Sequence, residues 1–354
     1  MALPFQTSLA KKRSLAVAID LGSHTTKAVC IQRRGDGFEL LRYAVQETPP
    51  SDKPLSAEKL AEHLKSITQA LGSKTKQITL LIGVDDSFLR HAEVPMLPVA
   101  DLRLMLKYSS KNYLQQDLPD HLFDCHFLPP RAGTSVSAEP QRNQKCRALV
   151  SGAKKQFVDL LQEAAKGAGL IPDQVTPGLI GTANAFEMAL PEAFAKEIVA
   201  LVDIGFKHST ISILMNGELS LSRVVAIGGD KLTSGLAESM SANYAEAEKA
   251  KLAMTEETQP HMMGLLTPLG RELRASIDFF EKQEDKAVTQ VFVSGGSARS
   301  PFMVESLQSE MMVPCKVWNP TGFLQLALPP QQMGEIEQAS SLLAVATGGA
   351  MTAF

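Results

Sequence analysis

The sequence predicts an α/β protein of two domains, with a small α+β subdomain inserted into the first domain. Three observations lead to this prediction. Apolar strands alternate with amphipathic helices, a unit of strand, turn, strand, turn and strand occurs twice, and residues 85–150 differ in character from their surroundings. With 354 residues, 44% of them hydrophobic, the chain can build more than one core.

The same patterns predict the domain boundaries. We expect a flexible arm over residues 1–14, a first domain over 15–197 that includes the inserted subdomain at about 85–168, a second domain over 198–339, and a C-terminal helix over 340–354 that returns to the first domain.

In the first half, apolar runs predict strands at residues 15–20, 27–33, 38–43 and 78–84. Gly35-Asp36-Gly37 supplies the turn between the second and third of these strands. A helix is predicted over residues 56–71, because its leucines and Ile67 share one face. The inserted block is predicted to contain a helix at 100–113, an exposed polar loop at 129–145, a strand at 147–151 and a helix at 154–167.

In the second half, strands are predicted at residues 198–203, 209–215, 218–225 and 290–294. Asn216-Gly217 predicts a tight hairpin turn between the second and third strands. Helices are predicted at 231–241, 245–254 and 269–282, and a further helix begins at Pro301.

The repeated unit places one motif near the start of each half. Asp20 to Thr26 is DLGSHTT and Asp203 to Ser209 is DIGFKHS, and each motif follows an apolar strand. A glycine after a strand lets backbone N–H groups approach a phosphate closely, and the hydroxyls of Ser23, Thr25 and Thr26 add donors. Two carboxylates facing each other across a cleft would suit Mg²⁺ bound through water and phosphates. The alternative for either motif alone is an ordinary turn that its Asp caps.

A third motif follows the strand at residues 290–294. Gly295-Gly296-Ser297 opens directly from that strand, and Arg299 precedes the helix that begins at Pro301. A double glycine lets a flat ligand lie against the backbone, and an Arg can stack on a base. The alternative is an ordinary loop between a strand and a helix.

Net charge, cysteine spacing, the length of apolar runs and missing motifs argue against several other classes of function. A net charge of −3 gives no overall electrostatic case for nucleic acid, and the four cysteines form no CxxC pair. No stretch approaches the roughly 18 apolar residues that span a bilayer, so any membrane association is expected to occur through a partner. A P-loop and a G-x-S-x-G nucleophile motif are both absent from the sequence.

The two Asp-x-Gly hairpins and the late Gly-Gly turn, in this order, resemble the actin-like ATPase superfamily of actin, Hsp70, sugar kinases and FtsA. The resemblance implies an actin-like (ribonuclease H-like) fold with ATP and Mg²⁺ in the cleft, where the hairpins contact phosphates and the Gly-Gly loop contacts adenosine. Residues 247–251, AEKAK, match a helix whose Glu and Lys reach ribose and adenine, and Gly228-Gly229-Asp230 stands where related bacterial members carry a similar motif.

The resemblance assigns these residues to the nucleotide: Asp20, Gly22, Ser23, His24, Thr25, Thr26, Lys27, Asp203, Gly205, Lys207, Ser209, Gly228, Gly229, Asp230, Glu248, Lys251, Gly295, Gly296, Ser297 and Arg299. Asp20 and Asp203 are expected to hold Mg²⁺ through water. His24 and Lys207 occupy turn positions where small polar residues are usual, which predicts altered nucleotide binding or turnover. No catalytic residue is assigned. Asn184 is a candidate by position alone, with helix packing as its other interpretation.

The inserted block narrows the resemblance to one branch of the superfamily. Residues 94–128 and 146–175, with their Leu97-Pro98 turn, Ala153-Lys154-Lys155 helix start and Ala168-Gly169-Leu170 end, are similar to the type IV pilus assembly protein PilM family. That family implies a cytoplasmic ATP-binding scaffold of the pilus inner-membrane platform, peripheral to the membrane, which binds the cytoplasmic N-terminal tail of a PilN-like protein. It also implies roles in pilus biogenesis and twitching motility. Weak ATPase activity, further platform or motor partners and a homo-oligomer stay open.

Three alternatives remain at this point. A sugar kinase would need a carboxylate base placed for a substrate hydroxyl, and no distinctive loop supplies one. An FtsA-like cell-division protein would be expected to carry a basic amphipathic helix near its C-terminus, whereas no Lys or Arg follows Lys316 here. The third alternative is a scaffold that has lost nucleotide binding.

Overall fold

A computed structural model describes residues 13–49, 56–129 and 145–354 of the chain. Most of the predicted arm and most of the predicted polar loop lie outside the described residues. The strands are β1 (Leu15–Leu21), β2 (Thr25–Arg34), β3 (Gly37–Glu47), β4 (Gln77–Ile82), β5 (Ser87–Pro95), β6 (His121–Phe127), β7 (Lys145–Lys154), β8 (Ile171–Pro177), β9 (Ile198–Ile204), β10 (Ser209–Met215), β11 (Glu218–Val225), β12 (Gln290–Gly295), β13 (Cys315–Val317) and β14 (Gln325–Leu326).

The helices are α1 (Ala57–Leu71), α2 (Val99–Leu114), α3 (Lys155–Gly167), α4 (Gly178–Ala189), α5 (Pro191–Lys196), α6 (Gly229–Ser239), α7 (Tyr244–Ala253), α8 (Thr258–Glu284), α9 (Pro301–Met311), α10 (Pro330–Ala339) and α11 (Ala344–Met351), with short 3₁₀ turns at Gly296–Arg299 and Ser340–Leu342. Among the residues that the structure describes, no helix combines the length and the apolar character needed to cross a bilayer.

The first sheet has the strand order β14-β3-β2-β1-β4-β8 and is covered on both faces. β1 is antiparallel to β2 and parallel to β4. Because successive side chains of a strand point to opposite faces, Val17 and Ile19 pack with α1 and α3, while Ala16 and Ala18 pack with α11. Burial on both faces explains why β1 is almost continuously apolar rather than alternating.

The second sheet has the order β11-β10-β9-β12-β13. Ala200 and Val202 of β9 pack with α6, α8 and α9, whereas Val199 and Leu201 pack with α4 and α5. α4 also contacts α11 and β4 of the first sheet. The helix therefore lies between the two larger sheets and helps to set their separation.

The third sheet, β5-β7-β6, is antiparallel and packs with α2 through Leu102 and Leu106. This small α+β unit matches the predicted difference in character of residues 85–150. α3, which the predicted boundaries place in the inserted subdomain, instead packs Leu161 and Ala164 against α1 in the core of the first sheet.

Local signals explain several element boundaries. Ser56 caps α1 by accepting from the Lys59 N–H at 3.3 Å, and Ser300 precedes Pro301 at the start of α9. Asn216 and Gly217 have φ values of 53° and 76°, as the predicted two-residue hairpin requires.

Several elements differ from the sequence prediction, and three of them have a clear physical reason. β5 carries exposed polar residues, including Arg90 and Glu93, that hide its strand pattern. β8 begins Ile-Pro and ends at a second proline, which its edge position tolerates. α8 begins at Thr258 rather than at Leu269 and runs through Pro268, because Met262 and Leu266 extend its buried stripe towards the N-terminus.

Candidate functional site

A cavity of about 1050 Å³ lies between the two larger sheets. This volume is slightly above the usual range for small-molecule sites, roughly 300–1,000 Å³. Its walls include the turn after β1, the turn after β9, the start of the loop after β12, and residues of α7. The two copies of the repeated hairpin therefore face one common space.

In the first loop, Asp20 ends the buried part of β1 and faces Lys27 on β2. The ladder pairs Asp20 with Lys27, and the Lys27 Nζ lies 3.3 Å from the Asp20 Oδ2. A Cβ at Gly22 would collide with the Thr25 carbonyl oxygen and would lie 2.8 Å from the Lys27 Nζ. Glycine at this position lets the ammonium group lie beside the loop backbone.

In the second loop, Asp203 lies at the end of β9 and accepts a hydrogen bond from the Ser294 Oγ at 2.9 Å. Burial raises the pKa of Asp203, the charge of Lys27 and the Ser294 hydrogen bond lower it, and the charge of Asp20 raises it. The net direction is upward. Lys27 thus offsets charge on carboxylates from both halves of the chain.

These residues fit Mg²⁺ held mainly by phosphates and water. Asp20 and Asp203 both line the cavity, and within the described ranges no group of three or more His, Cys, Asp and Glu side chains could enclose a metal ion. A pair of carboxylates without a complete protein cage is the donor set typical of nucleotide-associated Mg²⁺.

A second polar cluster lies at the α7 wall. The Lys251 Nζ donates to the Thr233 Oγ1 at 2.7 Å and lies 2.7 Å from the Glu248 Oε2, and the Thr233 hydroxyl lies 2.6 Å from that same oxygen. Burial alone would raise the pKa of Glu248, but hydrogen bonds from Lys251 and Thr233, with the charges of Lys251 and His24, lower it. Glu248 is therefore an ionised acceptor in the cavity wall.

The late glycine loop closes the same end of the cavity. Gly295 has a φ of 95°, and a Cβ there would collide with the Ile204 carbonyl. A Cβ at Gly229 would lie 3.3 Å from the Ser297 Oγ and 3.6 Å from the Lys251 Nζ. Three chain segments distant in sequence therefore meet here, with room for glycine but not for a larger residue at Gly295.

Most of the predicted site residues line this cavity. They are Asp20, Gly22, Ser23, His24, Thr25, Lys27, Asp203, Gly205, Lys207, Gly229, Glu248, Lys251, Gly295, Gly296, Ser297 and Arg299.

Four predicted residues do not line it: Thr26, Ser209, Gly228 and Asp230. Thr26, the second residue of β2, and Ser209, the first residue of β10, are both fully buried, and the Ser209 Oγ donates to the Ile227 carbonyl at 2.6 Å. The prediction that the Thr26 hydroxyl lines the phosphate site is corrected by this alternation, because Thr25 takes the cavity side. The N–H of Asp230 donates to the Phe206 carbonyl, and the Asp230 carboxylate accepts a hydrogen bond from the Tyr244 hydroxyl.

Asn184 takes the packing role. Its side chain is buried, and its Nδ2 donates to the Gly348 carbonyl of α11 at 3.4 Å.

The contacts across the cavity were not predicted from the sequence. The rings of His24 and Phe206, one from each hairpin loop, stack with centroids 4.2 Å apart and an angle of 16° between their planes. The His208 Nδ1 lies 3.6 Å from the Asp85 Oδ1, which follows β4. The available hint was Phe206, an aromatic residue at the position where the first repeat has Ser23.

The cavity also has an apolar extension. It runs between β3, α1 and α3, where Val45, Leu60, Phe157 and Leu160 form its walls. The space is therefore larger than the polar groups of the hairpin loops alone would enclose.

Comparison with known proteins identifies relatives. The family model described as "Type IV pilus assembly protein PilM" matches residues 18–354. The chain is similar to a solved "PilM-PilN type IV pilus biogenesis complex" (TM-score 0.80, 20% identity, 97% of this chain and 99% of that chain). It is also similar to the ethanolamine utilization protein EutJ from Carboxydothermus hydrogenoformans (0.55, 15%, 96% and 90%) and to MreB 5 of Spiroplasma citri bound to AMPPNP (0.52, 11%, 96% and 96%).

Among curated proteins, the cell division protein FtsA of Bacillus subtilis is 22% identical over 261 residues. That match covers 67% of this chain but only 57% of the length of FtsA. The likenesses confirm the predicted fold class, an actin-like two-domain α/β fold with a small inserted α+β unit.

Proposed function

This chain belongs to the type IV pilus assembly protein PilM family, and on that premise we propose that it is an ATP-binding scaffold of the pilus inner-membrane platform. The single observation that best supports nucleotide binding is the convergence of Asp20, Lys27 and Asp203 from both hairpins on one cavity. The partial, 22% identical match to FtsA gives the cell-division alternative less support than the family match over residues 18–354 gives the pilus function.

We assign the polar groups of the cavity to parts of one nucleotide. Gly22 and Gly205 bring backbone N–H groups close to phosphate oxygens, and Lys27 and Lys207 supply positive charge. Glu248 accepts hydrogen bonds from ribose hydroxyls beside the flat backbone at Gly295. Mg²⁺, when bound, would neutralise part of the phosphate charge, with Asp20 and Asp203 orienting its waters.

The bound nucleotide sets the spacing of the two lobes, by which we mean the two larger sheets with their covering helices. It is not a rapidly turned-over substrate. Asp203 is held by Ser294, Asp20 is paired with Lys27, and neither is placed as a free base. A sugar kinase would require such a base for its substrate hydroxyl. ATP hydrolysis is accordingly expected to be slow.

The partner is the cytoplasmic N-terminal tail of a PilN-like membrane protein. The solved PilM-PilN complex, with a TM-score of 0.80 to this chain, supports this assignment. Through that tail the protein is held at the inner face of the cytoplasmic membrane. Closure of the cleft around nucleotide changes the surface offered to the tail, as in hinge-type switches.

One titration series tests the function. Mg-ATP is titrated into the wild type, Asp20→Ala and Glu192→Ala, and each protein is then tested for capture by an immobilised PilN-like tail peptide with and without Mg-ATP. Glu192 is the matched control, because its carboxylate is 89% exposed on α5 and does not line the cavity.

We expect the wild type and Glu192→Ala to bind Mg-ATP, and Asp20→Ala to bind it at least about tenfold more weakly. No binding by the wild type would remove ATP from the proposal, and no capture by the tail peptide would remove the scaffold role. Strong phosphate release that depends on an added sugar would favour a kinase instead.

A further inference from the structure

We propose, on the basis of the nucleotide site proposed above, that His63, Thr26 and Thr48 form a one-directional hydrogen-bond relay that positions the first phosphate loop. The Nε2 of His63 lies 2.8 Å from the Thr26 Oγ1, and this oxygen lies 3.0 Å from the Thr48 Oγ1. The Thr48 Oγ1 in turn donates to the Gly22 carbonyl at 2.8 Å. The relay thus runs from the interior of α1 to the loop itself.

Counting protons fixes the direction of every bond in the relay. A carbonyl oxygen only accepts, so the single hydroxyl proton of Thr48 is used on Gly22. Thr48 must then accept from Thr26, which uses the only hydroxyl proton of Thr26. Thr26 must therefore accept from His63, and His63 must carry a proton on Nε2.

The burial of His63 agrees with a neutral ring in this tautomer. Thr26 is fully buried and His63 is 8% exposed. Desolvation by burial lowers the pKa of His63, so the ring is neutral near pH 7. A neutral imidazole has one N–H, and the relay places it on Nε2.

The relay sets the orientation of one peptide unit in the loop. In a trans peptide the C=O and the N–H point in opposite directions. Because the Gly22 carbonyl is held by Thr48, the N–H of Ser23 in the same peptide points the other way, and Ser23 lines the cavity. The Thr48 N–H also donates to the His24 carbonyl at 2.8 Å, so Thr48 holds the loop at two points, Gly22 and His24.

The second hairpin loop is held by backbone hydrogen bonds that do not involve the relay. The N–H groups of Gly229 and Asp230 donate to the carbonyls of Gly205 and Phe206, each at 2.9 Å. Those anchors are backbone groups that substitution leaves in place. The relay acts on the first loop, so we expect removal of its side chains to affect the first loop and to leave these backbone anchors of the second loop in place.

The relay also ties the loop to α1. Leu60 lies one turn before His63 on the same helix and lines the apolar extension of the cavity. A shift of α1 is therefore transmitted to Gly22 through three hydrogen bonds. His63 and Thr48 act as positioning residues, coupling the apolar extension to the phosphate loop.

Matched pairs of substitutions test the relay. Thr48→Val and Thr26→Val keep the shape and remove the hydroxyl, whereas Thr48→Ser and Thr26→Ser keep the hydroxyl. His63→Phe removes the N–H, and Thr68→Val is the control, because the Thr68 hydroxyl bonds only within α1 and lies outside the cavity. Mg-ATP affinity is measured by calorimetry, and thermal unfolding is recorded for each protein.

We expect each valine variant and His63→Phe to weaken Mg-ATP binding by about five- to tenfold, with serine variants and Thr68→Val within about twofold of wild type. The combined His63→Phe and Thr48→Val variant should lose far less than the product of the single losses, since both break one relay. Equal affinity of the valine and serine variants would overturn the proposal, as would multiplicative losses in the double variant.

A second readout does not depend on nucleotide. The ¹⁵N shifts of the His63 ring, assigned by comparison with His63→Phe, should report a proton on Nε2 in the free protein, and a proton on Nδ1 alone would overturn the relay. If wild type binds no Mg-ATP, the proposed nucleotide function fails, and the relay is then judged by this tautomer and by amide exchange at residues 22–26. That exchange should be faster in Thr48→Val than in Thr48→Ser.

Discussion

Lys27 offsets two carboxylates that come from opposite halves of the chain. Its ammonium pairs with Asp20 and lowers the pKa of Asp203, against a larger upward effect of burial. A carboxylate whose pKa is raised on folding binds more protons in the folded protein. Asp203 therefore lowers the free energy of unfolding as the pH rises above its ordinary pKa of 3.8 and through its raised pKa in the folded protein.

Lys27→Met should enlarge this effect, because Asp203 then loses the charge that opposes desolvation. We expect a loss of about 1–3 kcal/mol in the free energy of unfolding near pH 8, shrinking as the pH falls towards the ordinary carboxyl value of 3.8. Urea unfolding at the two pH values measures it. Adding Asp203→Asn removes the buried charge and should recover much of the loss near pH 8, whereas an equal loss at both pH values would contradict the role given to Asp203.

The sequence motif predicts that Lys27 belongs to the nucleotide site, and Lys27 lines the cavity. The motif does not predict that Lys27 lies opposite Asp20. That placement depends on the register of β1 against β2, and a shift of one residue would turn the side chain to the other face. Thr26 illustrates the same limit. The sequence predicts a hydroxyl that faces the phosphates, but the Thr26 side chain points into the interior. Contacts such as His24 with Phe206 depend on tertiary structure alone.

At the scale of elements, α4 and α11 approach each other unusually closely. A Cβ at Gly348 would collide with the Gly181 carbonyl, and a Cβ at Gly181 would collide with the Val345 carbonyl. Helix backbones this close leave no room for side chains between them, so glycine is required by space rather than by φ. The sequence predicts a C-terminal helix that returns to the first domain, but it does not identify the helix that lies opposite.

Gly348→Ala should therefore destabilise the protein by about 1–3 kcal/mol, the usual cost of overpacking. Gly334→Ala in α10 is the matched control, since a Cβ there meets nothing within 4 Å. The control should be neutral or stabilising by up to about 1 kcal/mol, because alanine favours helix over glycine. Equal unfolding free energies for the two variants would contradict the close approach.

At the scale of the whole molecule, two contacts join the lobes across the cavity. One is the stack of His24 on Phe206, and the other is the approach of His208 to Asp85. Both involve the second hairpin loop, and both of its partners, His24 and Asp85, lie on the first lobe. Opening the cleft requires that loop to separate from the first lobe.

Phe206→Ala should speed release of a fluorescent ATP analogue by about two- to tenfold, because an aromatic pair contributes roughly 0.5–1.5 kcal/mol. Stopped-flow displacement measures the release, and small-angle scattering should show a larger radius of gyration without nucleotide. Phe279→Ala is the control, since Phe279 is exposed on α8 away from the cavity. Release and scattering that match the control would contradict a role for the stack in holding the lobes together.

The first sheet takes its outermost strand, β14, and its covering helix, α11, from residues 325–351. On the ribosome, β1 to β4 emerge long before these residues, so a nascent chain presents the uncovered edge of β3 and one apolar face of the sheet. The second sheet draws its strands from residues 198–317 and can close earlier. The lobe that is synthesised first is thus completed last, and during that interval its open edge and apolar face are prone to aggregation.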